Sequence, residues 1–213
     1  MIRFSLLATV VLAYALAAQQ PAAKPANVAS LPKGWQVRLD RENANAAAIK
    51  FSRMAPGWHI YAGPSAIYWN PETTAKGPHE VRASILQTRP LEQLEGYGVF
   101  FGGSNLTTDK QRYTYFLVRQ DGKYTIKHRA GKEVHTIVDW TPSPAVNVPE
   151  DEGYADNNLT VRVATDSVRF LVNGQQVRAF SRGAMASDVE GQAGLRINHN
   201  LDVHVITMEV ARL

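Results

Sequence analysis

Cysteine is absent from all 213 residues of this chain. Its absence excludes disulfide bonds, thiolate metal sites and a lipid-modified N-terminal cysteine. Stability must therefore come from a buried apolar core. A chain of this length buries enough apolar surface to fold without cross-links.

Several catalytic signatures are missing as well. The sequence has no Gly-x-Ser-x-Gly nucleophile elbow, no glycine-rich phosphate loop and no His-Glu-x-x-His zinc motif. A function that depends on one of these local motifs is therefore not predicted.

Clusters of basic residues are also missing. The formal net charge is +4 at pH 7, with Lys and Arg scattered along the chain. A nucleic-acid-binding surface needs clustered basic residues together with aromatic rings that stack on bases. The sequence therefore predicts no nucleic-acid partner.

Long apolar runs are confined to the N-terminus. Arg3 precedes the apolar stretch Phe4 to Leu16, and Ala15-Leu16-Ala17 forms a small-x-small cleavage site, which is typical of a signal peptide. A membrane anchor is the alternative, but the run is short for spanning a bilayer. We predict a signal peptide at 1–17, an unpacked leader rich in Ala and Pro at 18–32, one domain at 33–213, and a secreted or periplasmic product without a membrane span after cleavage.

Alternation of apolar and polar residues dominates the last third of the chain. Leu159, Val161 and Val163 alternate with polar residues, and the same pattern continues through Phe170. Asn173-Gly174 then supplies two residues that tolerate positive φ in a tight hairpin. The segment therefore predicts consecutive antiparallel strands.

The middle of the chain carries the same signals. Tyr113 to Arg119, Lys123 to His128 and Glu133 to Trp140 read as a three-strand meander, with turns at Asp121-Gly122 and Ala130-Gly131-Lys132. About a dozen strands with almost no helix signal predict an all-β fold, a two-sheet antiparallel jelly-roll sandwich.

The strand pattern also resembles a known family. The run Asn158 to Gly174, the segment Gly191-Gln192-Ala193-Gly194-Leu195-Arg196 and the closing strand are similar to the C-terminal half of concanavalin-A-like (laminin-G-like) jelly rolls. Within that group the chain resembles the 3-keto-disaccharide hydrolase domain, which is related to family 16 glycoside hydrolases. The resemblance extends from about Trp58 to Leu213.

The resemblance implies a carbohydrate or glycoside ligand. We expect an exported, lectin-like module that binds carbohydrate on one sheet face. A periplasmic glycoside hydrolase of the 3-keto-disaccharide hydrolase type is the alternative, and a purely structural accessory domain is a third reading. The sequence leaves the oligomeric state open.

Aromatic residues provide the first candidate site. A saccharide site combines flat rings, which stack on apolar C–H faces, with fixed polar groups that form hydrogen bonds. Tyr61 and Trp69 lie on adjacent predicted strands and are candidate ligand-binding residues. The alternative is that such rings, Trp58 and Trp69 in particular, fill the core.

The predicted meander provides the second candidate. If Phe116 packs between the sheets, Tyr115 and Arg119 lie on an open sheet face, where the neighbouring strand adds Arg129. A polar ligand would meet these side chains. The alternative is a solvated face whose basic residues prevent edge pairing.

The last turn provides the third candidate. Arg196 and Asn198 are candidate ligand-binding residues, and Asn198, Asn200 and Asp202 could hold calcium through side-chain oxygens. Consecutive polar residues between strands are equally typical of a turn. We therefore predict no obligatory cofactor, with calcium as the alternative.

Catalytic residues are the least defined. Retaining glycoside cleavage needs two carboxylates about 5 Å apart, and the Glu-x-Asp-x-x-Glu strand of family 16 enzymes has no counterpart here. A 3-keto substrate could be processed by a single general base. His135 or Asp139 would be that base if the protein is an enzyme.

Overall fold

A computed structural model describes residues 31–150, 153–185 and 188–213. The predicted signal peptide, and the predicted leader up to residue 30, lie outside the described residues. Two single-turn 3-10 helices occur at Ala46–Ala48 and Arg182–Ala184. The strands of the described ranges are β1 Gln36–Leu39, β2 Lys50–Arg53, β3 Trp58–Ala62, β4 Ala66–Ala75, β5 His79–Gln87, β6 Gly96–Ser104, β7 Arg112–Arg119, β8 Lys123–Ala130, β9 Glu133–Pro142, β10 Ala155–Val163, β11 Ser167–Val172, β12 Gln175–Ser181, β13 Gly191–Ile197 and β14 Leu201–Arg212.

These strands form two antiparallel sheets of seven strands each. Sheet I has the order β1-β4-β13-β6-β7-β8-β9, and sheet II has the order β12-β11-β10-β5-β14-β3-β2. The predicted all-β, two-sheet jelly-roll sandwich is confirmed. The predicted meander is confirmed too, because β7, β8 and β9 follow one another in sheet I.

The main core lies between the two sheets. Alternation along each strand sends every second side chain inward, and Val161 of β10 lies opposite Phe170 of β11 and Val81 of β5 in the strand register. Phe170 is fully buried. Its ring packs against the rings of Phe101 and Phe116 from sheet I, at centroid distances of 5.9 and 5.3 Å, so aromatic contacts join the sheets.

The hairpin at Asn173-Gly174 forms as the sequence predicts. Asn173 has φ 51° and Gly174 has φ 77°, the left-handed geometry that these two residues tolerate. The side chain of Asn173 accepts a hydrogen bond from the Asn158 backbone at 2.8 Å and donates one to the Ala145 carbonyl at 2.9 Å. The turn therefore also anchors the segment that precedes β10.

Pro71 lies inside β4, although a proline is expected to interrupt a strand. The ladder between β4 and β13 shifts register between Gln192 and Gly194, opposite this part of β4, and prolines occur in strands at such irregularities. The Gln192 side chain donates a hydrogen bond to the Pro71 carbonyl at 3.3 Å. The strand therefore continues to Ala75.

No helix within the described ranges is long and apolar enough to cross a membrane.

Candidate functional site: an arginine cluster on sheet I

The outer face of sheet I, which points away from the main core, carries a second apolar layer. Residues of β4, β6 and β7 alternate between the main core and this face. Leu106, from the loop of residues 105–111, packs on the same layer. The buried members of the layer are Ile67, Trp69, Phe100, Leu106, Tyr113, Tyr115 and Leu117.

This burial corrects the expectation of an open sheet face. Tyr115 lies on the predicted face, but only 6% of its surface is exposed, and Trp69 is 1% exposed. Leu106 and the partly buried Trp140 pack on this layer, and the Arg196 guanidinium lies over the Tyr115 ring. Neither the Tyr115 ring nor the Trp69 ring is available for stacking on a sugar, and Trp69 is the space-filling residue that the alternative reading expected.

Arg196 of β13 lies on the same face and is almost completely buried. Its two terminal nitrogens donate hydrogen bonds to the two carboxylate oxygens of Asp40, each at 2.5 Å. Its guanidinium carbon is 5.4 Å from the centre of the Tyr115 ring. A two-point pair of this kind fixes both the position and the orientation of the carboxylate.

Two further arginines surround Asp40. Arg129 of β8 places Nη2 3.5 Å from Asp40 Oδ2. Arg38 of β1 donates a hydrogen bond from Nη1 to the Leu106 carbonyl at 3.2 Å, and its Nη2 is 3.6 Å from Asp109 Oδ1. We call Arg38, Arg129 and Arg196, with Asp40 between them, the arginine cluster.

The environment keeps Asp40 ionised. Burial raises the pKa of Asp40, but Arg196, with help from Arg129 and Arg38, outweighs this effect and lowers the pKa below its ordinary value. Burial raises the pKa of Tyr113 and of Tyr115, so both phenols are neutral at pH 7. The negative charge inside the cluster is therefore that of Asp40.

A cavity of about 460 Å³ opens beside the cluster. It lies between the segment that follows β1 and the turn that joins β8 to β9. Its walls combine hydrogen-bond donors and acceptors of both charges, a composition suited to a small polar ligand. They are formed by Arg38, Asp40, Glu42, Asn43, Asp109, Gln111, Arg129, Gly131 and Lys132.

Arg119 lies away from the cluster, although it shares the sheet face. Its side chain pairs with Asp121, at 2.7 and 2.8 Å, and its guanidinium carbon is 4.2 Å from the centre of the Trp140 ring. These contacts hold Arg119 at the opposite end of β7 from Tyr113. Of the predicted ligand-binding residues, Arg129 and Arg196 are brought together with Tyr115, whereas Arg119 is not.

Tyr61 lies on sheet II, remote from the arginine cluster. Arg89 stacks over its ring at 5.5 Å. Arg89 also approaches Asp202 at 3.5 Å, and Asp202 further contacts His59 at 2.6 Å and Thr88 at 2.9 Å. These side chains form a separate polar group on the outer face of sheet II.

Of the predicted metal residues, Asn198 and Asn200 lie in the turn between β13 and β14, and Asp202 is the second residue of β14. Asn200 has φ 58°, which is typical of a turn, and the Asp202 carboxylate is already engaged by side chains of the protein. Among residues 31–150, 153–185 and 188–213, no group of three His, Asp or Glu side chains could hold a metal ion.

The candidate catalytic residues lie on β9, at the edge of sheet I. The His135 side chain is 58% exposed and its Nε2 is 3.4 Å from Glu133. Asp139 is exposed and accepts a hydrogen bond from the Trp140 backbone at 2.8 Å. Both residues lie outside the cavity beside Asp40.

Two residues of the cluster, Arg38 and Asp40, are missing from the sequence-based candidates. Arg38 alternates with the buried Val37 and Leu39 in β1, so its side chain and that of Asp40 have the same parity. The sequence indicates only that Arg38 and Asp40, which are two positions apart, point to the same side of the strand. It does not reveal that Arg196, 156 positions away, lies beside Asp40.

Several solved structures have a fold similar to that of this chain. The carbohydrate-binding module CBM66 from Bacillus subtilis superposes with a TM-score of 0.60 and 9% identity, over 84% of this chain and 95% of that one. A Bacillus subtilis protein of unknown function with a galectin-like fold gives 0.57 and 13%, over 84% and 90%. The Emp47p carbohydrate recognition domain gives 0.52 and 8%, over 90% and 93%.

The chain has a galectin-like jelly-roll fold. No family model matches the sequence, and the search of curated proteins finds no match either. Because the sequence identities to these structures are 8 to 13%, the similarity shows a shared fold. The resemblance to the 3-keto-disaccharide hydrolase domain stays a prediction.

Proposed function

We propose that this protein binds carbohydrate in the cavity beside Asp40. The observation that carries the proposal is the fixed position of the Asp40 carboxylate, which two side-chain hydrogen bonds from Arg196 hold at the cavity wall. Adjacent sugar hydroxyl groups both donate and accept hydrogen bonds. A carboxylate beside guanidinium groups can accept from one hydroxyl while a guanidinium donates to the next.

Pre-organisation supports this proposal. Arg38 and Arg129, whose side chains are 12% and 11% exposed, are held largely within the protein before any ligand arrives. Ordering flexible side chains opposes binding, so groups that are already ordered recognise a small ligand at lower cost. Gln111 and Asn43 add amide donors and acceptors at the same cavity.

The mode of recognition differs from the stacking that the sequence led us to expect. Because Trp69 and Tyr115 are covered, we propose recognition through hydrogen bonds and charge rather than through ring stacking. Two of the solved structures with this fold are described as carbohydrate binding, which supports the ligand class. An exported location follows from the predicted signal peptide at 1–17 and belongs to the same proposal.

A glycan array tests the proposal, followed by calorimetry on the best ligand. We expect Arg129→Gln to weaken binding about 10-fold or more, because charge-assisted hydrogen bonds are lost. Arg169→Gln is the matched control, since Arg169 is exposed on sheet II. The proposal fails if no glycan is retained, or if both variants bind as the parent does.

A further inference from the structure

The arginine cluster contains more positive than negative charge. The side chains of Arg38, Arg129 and Arg196 are 12%, 11% and 5% exposed. Their carboxylate partners are Asp40, inside the cluster, and Asp109, outside it, which is 42% exposed and lies 3.6 Å from Arg38. A charge removed from water needs a compensating charge. Three guanidinium groups pair with two carboxylates, so these ion-paired groups carry a net charge of +1.

Hydrogen-bond donors are in excess too. The Nε atoms of Arg38, Arg129 and Arg196 are all buried without a hydrogen-bond partner. Buried polar groups in folded proteins are generally satisfied, and each exception calls for an explanation. Tyr113 and Tyr115 supply no negative charge, because burial raises the pKa of both phenols.

The cavity reaches two of these three arginines. Arg38 and Arg129 line it, and Lys132 adds a third cation at its rim. Three carboxylates, those of Asp40, Glu42 and Asp109, also line it and oppose an anion. Asp40 is already paired with Arg196, and Glu42 and Asp109 are exposed to solvent, where water screens charge strongly. The two buried arginines are therefore the lining charges that water screens least.

We propose that the cavity recognises an acidic saccharide, whose carboxylate pairs with the guanidinium groups of Arg38 and Arg129. This inference rests on the proposed carbohydrate-binding function and names the class of sugar. A planar carboxylate matches the paired N–H groups of arginine, and a neutral sugar leaves the extra positive charge without a partner.

Matched pairs of ligands test this inference. Trisaccharides of galacturonate, glucuronate and mannuronate are each compared with their methyl esters, which keep the sugar and remove the charge. Binding to the full chain is measured by calorimetry. We expect at least one acid to bind about 10-fold more tightly than its ester, and we expect Arg129→Gln to abolish that difference while Arg169→Gln preserves it.

A second variant guards against misfolding. If Arg129→Gln does not fold, Arg129→Lys keeps the charge and loses the paired N–H geometry. We expect Arg129→Lys to weaken binding of the acid about 10-fold, while its circular dichroism spectrum matches that of the parent. Unchanged binding of the acid by Arg129→Lys contradicts the inference.

The outcomes separate the two proposals. Equal binding of acid and ester, or binding of neutral glycans alone, overturns the acidic ligand and leaves carbohydrate binding in place. Inorganic phosphate is the remaining probe. Binding of phosphate without any glycan overturns both proposals, because the cluster is then a site for a free anion.

Discussion

Arg196 and Asp40 form a two-point ion pair across 156 positions of sequence, with both N–O distances at 2.5 Å. Arg196 belongs to β13 in the interior of sheet I, whereas Asp40 follows the edge strand β1. The pair therefore fastens the segment after β1 to the middle of the sheet. One wall of the cavity depends on that connection.

Removing the Asp40 carboxylate should destabilise the fold. Breaking a buried ion pair from one side leaves the other charge uncompensated and typically costs about 3 to 5 kcal/mol. Asp40 is partly accessible, so we expect Asp40→Ala to lower the free energy of unfolding in urea by about 3 kcal/mol. Asp109→Ala is the control and should stay within about 0.5 kcal/mol. A smaller loss for Asp40→Ala than for the control contradicts the role of the pair.

Stability should fall on acidification, in a way that depends on Asp40. Its pKa is lowered in the folded state, relative to about 3.9 in an unfolded chain. The stabilising contribution is therefore complete above the unfolded pKa and is lost as the pH falls through the folded pKa. Urea unfolding at a series of pH values from 7 down to 2 should show a shallower acid-side loss for Asp40→Asn. Parallel curves for parent and variant would contradict the assignment.

Tyr115 should act as a packing residue. Because the ring is buried under the Arg196 guanidinium, we expect Tyr115→Ala to cost about 3 kcal/mol of unfolding free energy. Tyr115→Phe keeps the ring and should cost less than about 1.5 kcal/mol. Glycan binding by Tyr115→Phe should equal that of the parent, since Tyr115 does not line the cavity. Chemical denaturation and calorimetry check both statements.

Arg119 should also matter for stability rather than for ligand binding. Its contacts are Asp121 and the ring of Trp140. We expect Arg119→Ala to lower the unfolding free energy by about 1 kcal/mol, from the loss of the cation–π contact and the ion pair. Binding to the best array glycan should be unchanged. Loss of binding with unchanged stability would instead place the ligand at this end of β7.

Phe170 should be among the most sensitive core positions. The ring is fully buried between the sheets, and truncating such a ring removes apolar contacts and leaves a cavity. We expect Phe170→Ala to cost about 3 to 5 kcal/mol, by urea denaturation. Phe180 of β12 is half-buried at the sheet edge, so Phe180→Ala should cost clearly less. Equal losses would contradict the assigned core.

Local signals in the sequence were sufficient to predict most of the fold. Alternation predicted the strands, and glycines predicted turns such as those at Gly122 and Gly131, which have φ 75° and 61°. Asn173-Gly174 predicted the hairpin between β11 and β12. Each of these features depends on residues that are neighbours in sequence, so each can be read from the chain directly.

The candidate site could be predicted only in part. Parity correctly placed Tyr115 on the outer face of sheet I together with Arg119. It could not show that Leu106, a single leucine in a polar loop, would pack on that face. Nor could it show that Asp40 would meet Arg196, because that contact depends on the path of the chain between them. Whether a side chain is exposed to solvent depends on how distant segments of the chain pack, so sequence alternation alone cannot predict it.

The burial of Trp69 in the layer on the outer face of sheet I has a practical consequence for spectroscopy. The indole is shielded from water and from anything dissolved in it, being 1% exposed. Its emission should be blue-shifted, protected from iodide quenching and unresponsive when a sugar docks. Trp35, Trp58 and Trp140 are only partly buried, so a change in intrinsic fluorescence on sugar binding would come from those three rings and not from Trp69.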